Sequence, residues 1–140
     1  MKQYESGVQA MLELVGGKWR ILILHQLISG KKRTSELRRA IPGITQKVLT
    51  QQLRELEKNE IIHRIIHPEI PPKVEYELTA YGLTLQDIID RICLWGEKHL
   101  DRVYGDKSRV LGNHFSDYIP LSTSTFSGHP IKNKTKPSSV

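Results

Sequence analysis

Cysteine is nearly missing from this 140-residue chain, where Cys93 stands alone. One thiol cannot close an intrachain disulfide, so a disulfide-stapled scaffold is excluded and a reducing compartment fits. Long apolar runs are missing as well. The longest, residues 21–24, falls far short of the roughly 20 residues that span a bilayer. The opening MKQYESGVQA has no signal-peptide apolar core, so a cytoplasmic protein with no membrane contact is expected. A phosphate-binding glycine loop, a dinucleotide fingerprint and a zinc-protease motif are all absent from the sequence. Cys93 and His99 fall about 120° apart around a helix axis, a poor nucleophile–base pair. No two carboxylates share an isolated apolar setting, and an enzyme is not expected. His63 and His67 would stand about 13 Å apart on a strand, too far to share an ion. His25 lies in an apolar stretch, as a core or interface residue. Neither a metal nor a cofactor is expected.

Positive charge is what the chain has in excess. The net charge is +6 and the isoelectric point about 9.5. That balance suits a polyanion, nucleic acid or an anionic surface, or else marks a merely soluble basic protein. With 38% hydrophobic residues the length supports one domain and a modest extension.

Tyr4, Val8, Met11, Leu12 and Val15 recur at helical spacing, which predicts a helix over 4–15, stopped by Gly16-Gly17. WRILILHQLI, residues 19–28, is apolar nearly all round and reads as a central buried helix. A basic link follows, Lys31-Lys32-Arg33, with room for one strand. Thr34 is placed to cap a brief helix over 35–40. Pro42-Gly43 forces a turn, and Thr45 caps a helix running to about Asn59. IIHRII (61–66) and KVEYEL (73–78) have the two-residue period of strands, joined by HPEIPP into a stiff hairpin. Thr79 is expected to cap one long helix to about Val103. From Gly105 the composition turns to Ser, Thr, Lys, Gly and Pro, which predicts a disordered tail over 105–140 after a folded domain over 1–104. The fold class is mainly α with a small β-hairpin wing: two short helices around a tight turn, then a hairpin, is a winged helix-turn-helix layout.

The helix after Thr45, QKVLTQQLRELEK, carries the functional signal. On a helical wheel Leu49, Leu53 and Leu56 share the core face. Lys47, Thr50, Gln51, Arg54 and Lys58 fall opposite, and Gln46 and Gln52 flank the stripe. From Leu37 through Arg54 there is no Asp or Glu, while Arg38, Arg39, Lys47 and Arg54 are present. An ordinary solvated helix face mixes Glu with Lys. Amides bond adenine, cations bond guanine and a Thr methyl meets thymine, so the face suits base edges of double-stranded DNA. Thr45, Gln46, Lys47, Thr50, Gln51 and Arg54 are the candidate base-reading set. Lys31, Lys32, Arg33, Arg38, Arg39, His63, Arg64, His67 and Lys73 are candidates for phosphate and wing contacts, which position rather than specify; taken singly, each is as readily a solvated cation.

Tyr81, Leu85, Ile88, Ile89, Ile92 and Trp95 form one stripe of the final helix, with Leu83 and Leu94 nearly opposite. A helix apolar on two sides needs two partners. One is its own domain, and the other is the same helix of a second copy, with the first helix joining in. The expected dimer interface is Val8, Met11, Leu12, Leu85, Ile88, Ile89, Ile92 and Trp95; a loop or the tail covering that face is the alternative.

The motifs GGKW (16–19), SELRRAIPGITQKVLTQQLRELEKNEIIHR (35–64), PPKVEYELT (71–79) and CLWGEKH (93–99) come in an order and spacing that resembles the HxlR-type family of winged-helix bacterial transcription regulators, relatives of the MarR type. The resemblance covers roughly residues 6–104. It implies a homodimer on operator DNA, dimerised through the N-terminal and last helices, that represses or activates neighbouring genes. It further implies that the helix from Thr45 is the recognition helix and that 61–78 is the wing. Three departures stand out. Ser6 occupies the place where many members carry a cysteine that some use for sensing, Thr34 stands where an aromatic is common, and the tail has no counterpart.

Cys93 reads as a small packed hydrophobe, with a redox switch at the dimer seam as the alternative. A small-molecule effector bound near Trp19, Tyr81 and Trp95, or a protein-interaction module that binds no DNA, stays open on the sequence.

Overall fold

Ser6 opens the first helix, its hydroxyl accepting from the Gln9 N–H at 3.2 Å. In the computed structural model, which describes residues 1–112, α1 spans Gly7–Val15 and α2 spans Lys18–Ile28. The start expected at residue 4 moves to Gly7 because the extended Ser6 is the better N-cap. Gly17, at φ +84°, makes the break between α1 and α2. Of α2, Ile23, Leu24 and Leu27 are fully buried while Leu22 is exposed, so this helix is central but not enclosed.

Helix α3 spans Thr34–Ala40. Thr34 is its first residue and not the cap. The Glu36 carboxylate reaches back to the Arg33 N–H at 2.8 Å, which moves the start one residue earlier than Thr34 alone would set it. The turn after α3 is held by the buried Ile41 and Ile44. Trp19 lies against it: a methyl on Gly43 would meet the indole at 3.9 Å.

Helix α4 spans Gln46–Lys58, and the Thr45 hydroxyl accepts from the Val48 N–H at 3.2 Å. Leu49, Leu53 and Leu56 are buried as their spacing requires. The helix ends with Ile61 N–H on Leu56 O and Glu60 N–H on Glu57 O, at 3.0 and 2.9 Å. Glu60 holds φ +61°, where glycine is the usual choice.

Strands β1 (Ile62–His67) and β2 (Lys73–Leu78) pair antiparallel, Ile62 opposite Leu78 and His67 opposite Lys73. The basic link adds an isolated bridge to β2. Lys32 N–H donates to Tyr76 O at 3.0 Å, and Tyr76 N–H to Lys32 O at 2.8 Å. The link thereby ties the entry of α3 to the base of the hairpin.

The single long helix expected after Thr79 is two: α5 (Ala80–Leu83) and α6 (Gln86–Tyr104). Thr84 N–H bonds Tyr81 O and Leu85 N–H bonds Gly82 O, at 3.1 and 3.0 Å. The Thr84 hydroxyl also donates to Tyr81 O. These shorter loops take the carbonyls that a continuing α-helix would need, so the helix restarts.

Residues Met1–Gln86 form one compact unit, with a core of aliphatic side chains from α1, α2, α3, α4 and the hairpin, and a second unit starts at Asp87. Within the second, Lys107 N–H donates to Asp101 and Lys107 Nζ lies 2.8 Å from Glu97 Oε1, fixing a 3-10 turn over Lys107–Arg109. The tail expected from Gly105 thus begins with a structured turn; residues 113–140, on which the rest of that expectation falls, lie outside the described residues. Among the described residues no helix is long and apolar enough to cross a membrane.

Candidate nucleic-acid interface

The buried leucines of α4 fix its rotation, and that rotation turns Thr45, Gln46, Lys47, Gln51 and Arg54 to solvent. Thr50 is half-buried and accepts from Gln46 Nε2 at 3.0 Å, so these two of the expected reading set hold each other. Lys47, Gln51 and Arg54 make no hydrogen bond or ion pair within the described residues. No acid lies in the first turn of α4, whose open N–H groups favour an anion. Arg54 lies near enough to Tyr76 of β2 for its charge to be felt there, together with Arg64 and Glu57.

Lys31, Arg33, Arg38 and Arg39 are exposed on the link and α3. Lys32 is half-buried, with Nζ donating to Ser29 Oγ at 2.9 Å. An open cleft of about 460 Å³ runs along this side, lined by Arg33, Ser35, Glu36, Arg39, Lys73 and Glu75. Its charge is mixed, because both carboxylates have structural tasks. Glu36 caps α3, and Glu75 accepts from His67 at 2.7 Å with Lys73 Nζ 3.9 Å away. The His67 hydrogen bond, opposed by burial and helped by Lys73 and Lys31, holds the Glu75 carboxyl below its ordinary range.

The wing differs from a plain tally of its cations. His63 meets Glu77 at 2.8 Å, Arg64 lies 3.9 Å from Glu57 on α4, and His67 and Lys73 share Glu75. Each expected wing cation therefore has a carboxylate beside it. Strand alternation already placed these groups on the hairpin, but only the register pairs His63 with Glu77. A further contact was not anticipated. Arg20 donates from Nε to Gln52 Oε1 at 2.7 Å, and from Nη1 to Leu14 O and Glu13 O at 3.0 and 3.3 Å. The only sequence signal for it is a polar pair flanking two apolar stripes.

Several apolar side chains expected at the dimer seam are exposed. On α1 these are Val8 and Leu12, with Met11 half-buried. On α6 they are Ile88, Ile92 and Trp95, the last 70% exposed and stacked on His99 at 5.6 Å. Leu85 is half-buried. Ile89, expected with them, is only 3% exposed in the single chain. A stripe about 120° wide can run from exposed into buried positions, and a helical wheel does not mark where exposure ends. Of the aromatics considered for an effector, Trp19 packs at the α3–α4 turn while Tyr81 and Trp95 are exposed.

Cys93 is half-buried, and its thiol donates to Glu97 Oε2 at 3.3 Å. Burial, that hydrogen bond and the charges of Glu97 and Asp90 push its pKa up to about 12. At pH 8 roughly one thiol in ten thousand is then ionised, against about a quarter for a free cysteine. A high-pKa thiolate is the better nucleophile, which recovers part of the difference. Alkylation of Cys93 by iodoacetamide at pH 8 is expected to run about 100-fold slower than that of free cysteine; a rate within threefold of free cysteine would contradict this environment. No cluster able to hold a metal occurs among the described residues.

A helix-turn-helix whose second helix presents an acid-free polar row, followed by a two-stranded hairpin, defines a winged helix-turn-helix DNA-binding protein. The HxlR-like helix-turn-helix family model matches residues 14–104, and the chain belongs to that family. It is 57% identical over 110 residues to the HTH-type transcriptional regulator YtcD of Bacillus subtilis, spanning 79% of this chain and 87% of that protein. With the regulator YdeP of the same organism it shares 50% over 96 residues, 69% of this chain and 75% of that one. Among solved structures, the redox regulator HypR in its reduced form superposes with a TM-score of 0.67 at 46% identity, over 71% of this chain and 99% of that one. The protein is a transcriptional regulator with a helix-turn-helix domain.

Proposed function

We propose that two copies of this chain pair and bind duplex DNA at an inverted repeat, with α4 of each copy in a major groove. The observation that carries this reading is the outward row Lys47, Gln51 and Arg54, exposed on a helix whose rotation is set by three buried leucines. These are side chains that pair with guanine and adenine edges. Lys31, Arg33, Arg38 and Arg39 supply phosphate contacts, and the wing, with its own carboxylates, contributes less than its cations suggest. The second copy covers the exposed faces of α1 and α6. The similar regulator HypR, named as a redox regulator, favours a thiol-sensing alternative, but the Cys93 environment counts against it here.

The test is selection of bound duplexes from a random pool at fixed salt. An inverted repeat with half-sites about 34–36 Å apart is the expected winner; failure to enrich any sequence would overturn the reading. Ile92→Glu should convert the protein to monomers by sedimentation, and a dimer that persists would reject the α6 seam. Ile89→Glu is no such test, because a buried residue fails by unfolding.

A further inference from the structure

Resting on the dimeric DNA-binding reading, we infer that Arg20 and Gln52 form a strut that sets the angle between α1, on the dimer seam, and the recognition helix α4. Arg20 stands in the first turn of α2, between the two. Its guanidinium donates to Leu14 O and Glu13 O in the last turn of α1, at 3.0 and 3.3 Å. The same guanidinium donates to Gln52 Oε1 on α4 at 2.7 Å. The carbonyls at the end of α1 carry the negative end of its dipole, which suits the cation. Gln52 lies on the flank of α4, off the outward row, so its amide is available for this bond without leaving the base-reading set.

The strut matters because α1 has little else to orient it. Val15 is its only fully buried residue, and Val8 and Leu12 face outward. A planar group with donors fixed in a fork transmits angle as well as distance, which a lysine does not. In a two-fold pair each α4 stands about 17 Å from the axis, so a tilt of about 10° moves it by roughly 3 Å, close to one base-pair step. The strut therefore governs which half-site spacing the dimer accepts, and not how tightly one α4 reads one half-site. Both are positioning residues.

The experiment uses the full chain, the selected inverted repeat, versions with the half-sites one base pair nearer or farther, and a single half-site duplex. Wild type is expected to reject the altered spacings by at least tenfold. Gln52→Met should bring that ratio to within threefold of unity, with half-site affinity within twofold of wild type and the dimer intact on sedimentation. Arg20→Lys should fall between. Gln52→Glu, which keeps an acceptor for the guanidinium, should restore the ratio even if its added charge lowers all affinities together. Full spacing discrimination in Gln52→Met would overturn the strut, and so would a loss of half-site binding equal to the loss on the full repeat. A wild-type protein that shows no preference for an inverted repeat would instead remove the dimeric reading on which the strut rests.

Discussion

Gly82→Ala is expected to destabilise the protein by about 3 kcal/mol or more, at the upper end for a one-methyl change. An added Cβ would lie 2.1 Å from Ile61 O and 3.2 Å from Leu78 Cδ2. The first contact is with backbone at the start of the hairpin, which cannot turn aside as a side chain would. Relief has to come from moving α5, and α5 is tied at the same point. The Thr79 hydroxyl donates to Glu60 O at 2.7 Å and accepts from Gly82 N–H at 2.9 Å, while Thr79 N–H donates to Ile61 O at 3.0 Å. A shift that clears the methyl breaks these bonds and leaves carbonyls short of donors, about 1–3 kcal/mol each where buried. Urea unfolding should show the midpoint falling by about 1–2 M with an unchanged slope. Gly96 supplies the contrast: it lies within α6 with open space where a Cβ would stand. Gly96→Ala should stabilise by about 0.5–1 kcal/mol through helix propensity alone. If Gly82→Ala costs less than Gly96→Ala gains, α5 does not sit on the Ile61 carbonyl as described.

The two glycines also mark where the sequence could be read and where it could not. Local rules sufficed for α4. The spacing of Leu49, Leu53 and Leu56 gave its buried face, Thr45 its start, and an acid-free window its outward chemistry. Strand period likewise located the hairpin to within a residue. What failed was whatever depended on a partner distant in the chain. Gly82 looks like an unremarkable residue inside a helical pattern until Ile61, 21 positions earlier, is brought against it. Thr34 is a better N-cap by type than Arg33, yet Glu36 and the Lys32–Tyr76 bridge set the start. On the wing, only the register puts carboxylates beside the cations, and no local pattern separates the buried Ile89 from the exposed Ile88 and Ile92. Arg20 and Gln52, 32 positions apart, flank apolar stripes on their own helices, and no local pattern pairs them.

The proposed base-reading row makes the other large prediction. Arg54→Ala should lose about 1–3 kcal/mol on the selected operator, and only where the base pair opposite Arg54 is the preferred one. On duplexes altered at that pair, wild type and variant should bind alike, because the contact is already lost. Gln51→Ala should behave in the same way at a neighbouring pair. Gln46→Ala should cost less than either, since Gln46 spends its amide on Thr50. Arg39→Ala is expected to act differently. It removes a proposed phosphate contact, so affinity should fall for every sequence and the log–log salt slope should shrink by about one unit. Lys32, already bonded to Ser29 and half-buried, is a poorer choice for that comparison. The physical distinction is between a hydrogen-bond pattern, which only one base pair completes, and counterion release, which any duplex supplies. If Arg54→Ala lowers affinity uniformly and reduces the salt slope as Arg39→Ala does, then Arg54 lies over the phosphate backbone. The register of α4 in the groove must in that case be rotated toward Lys47.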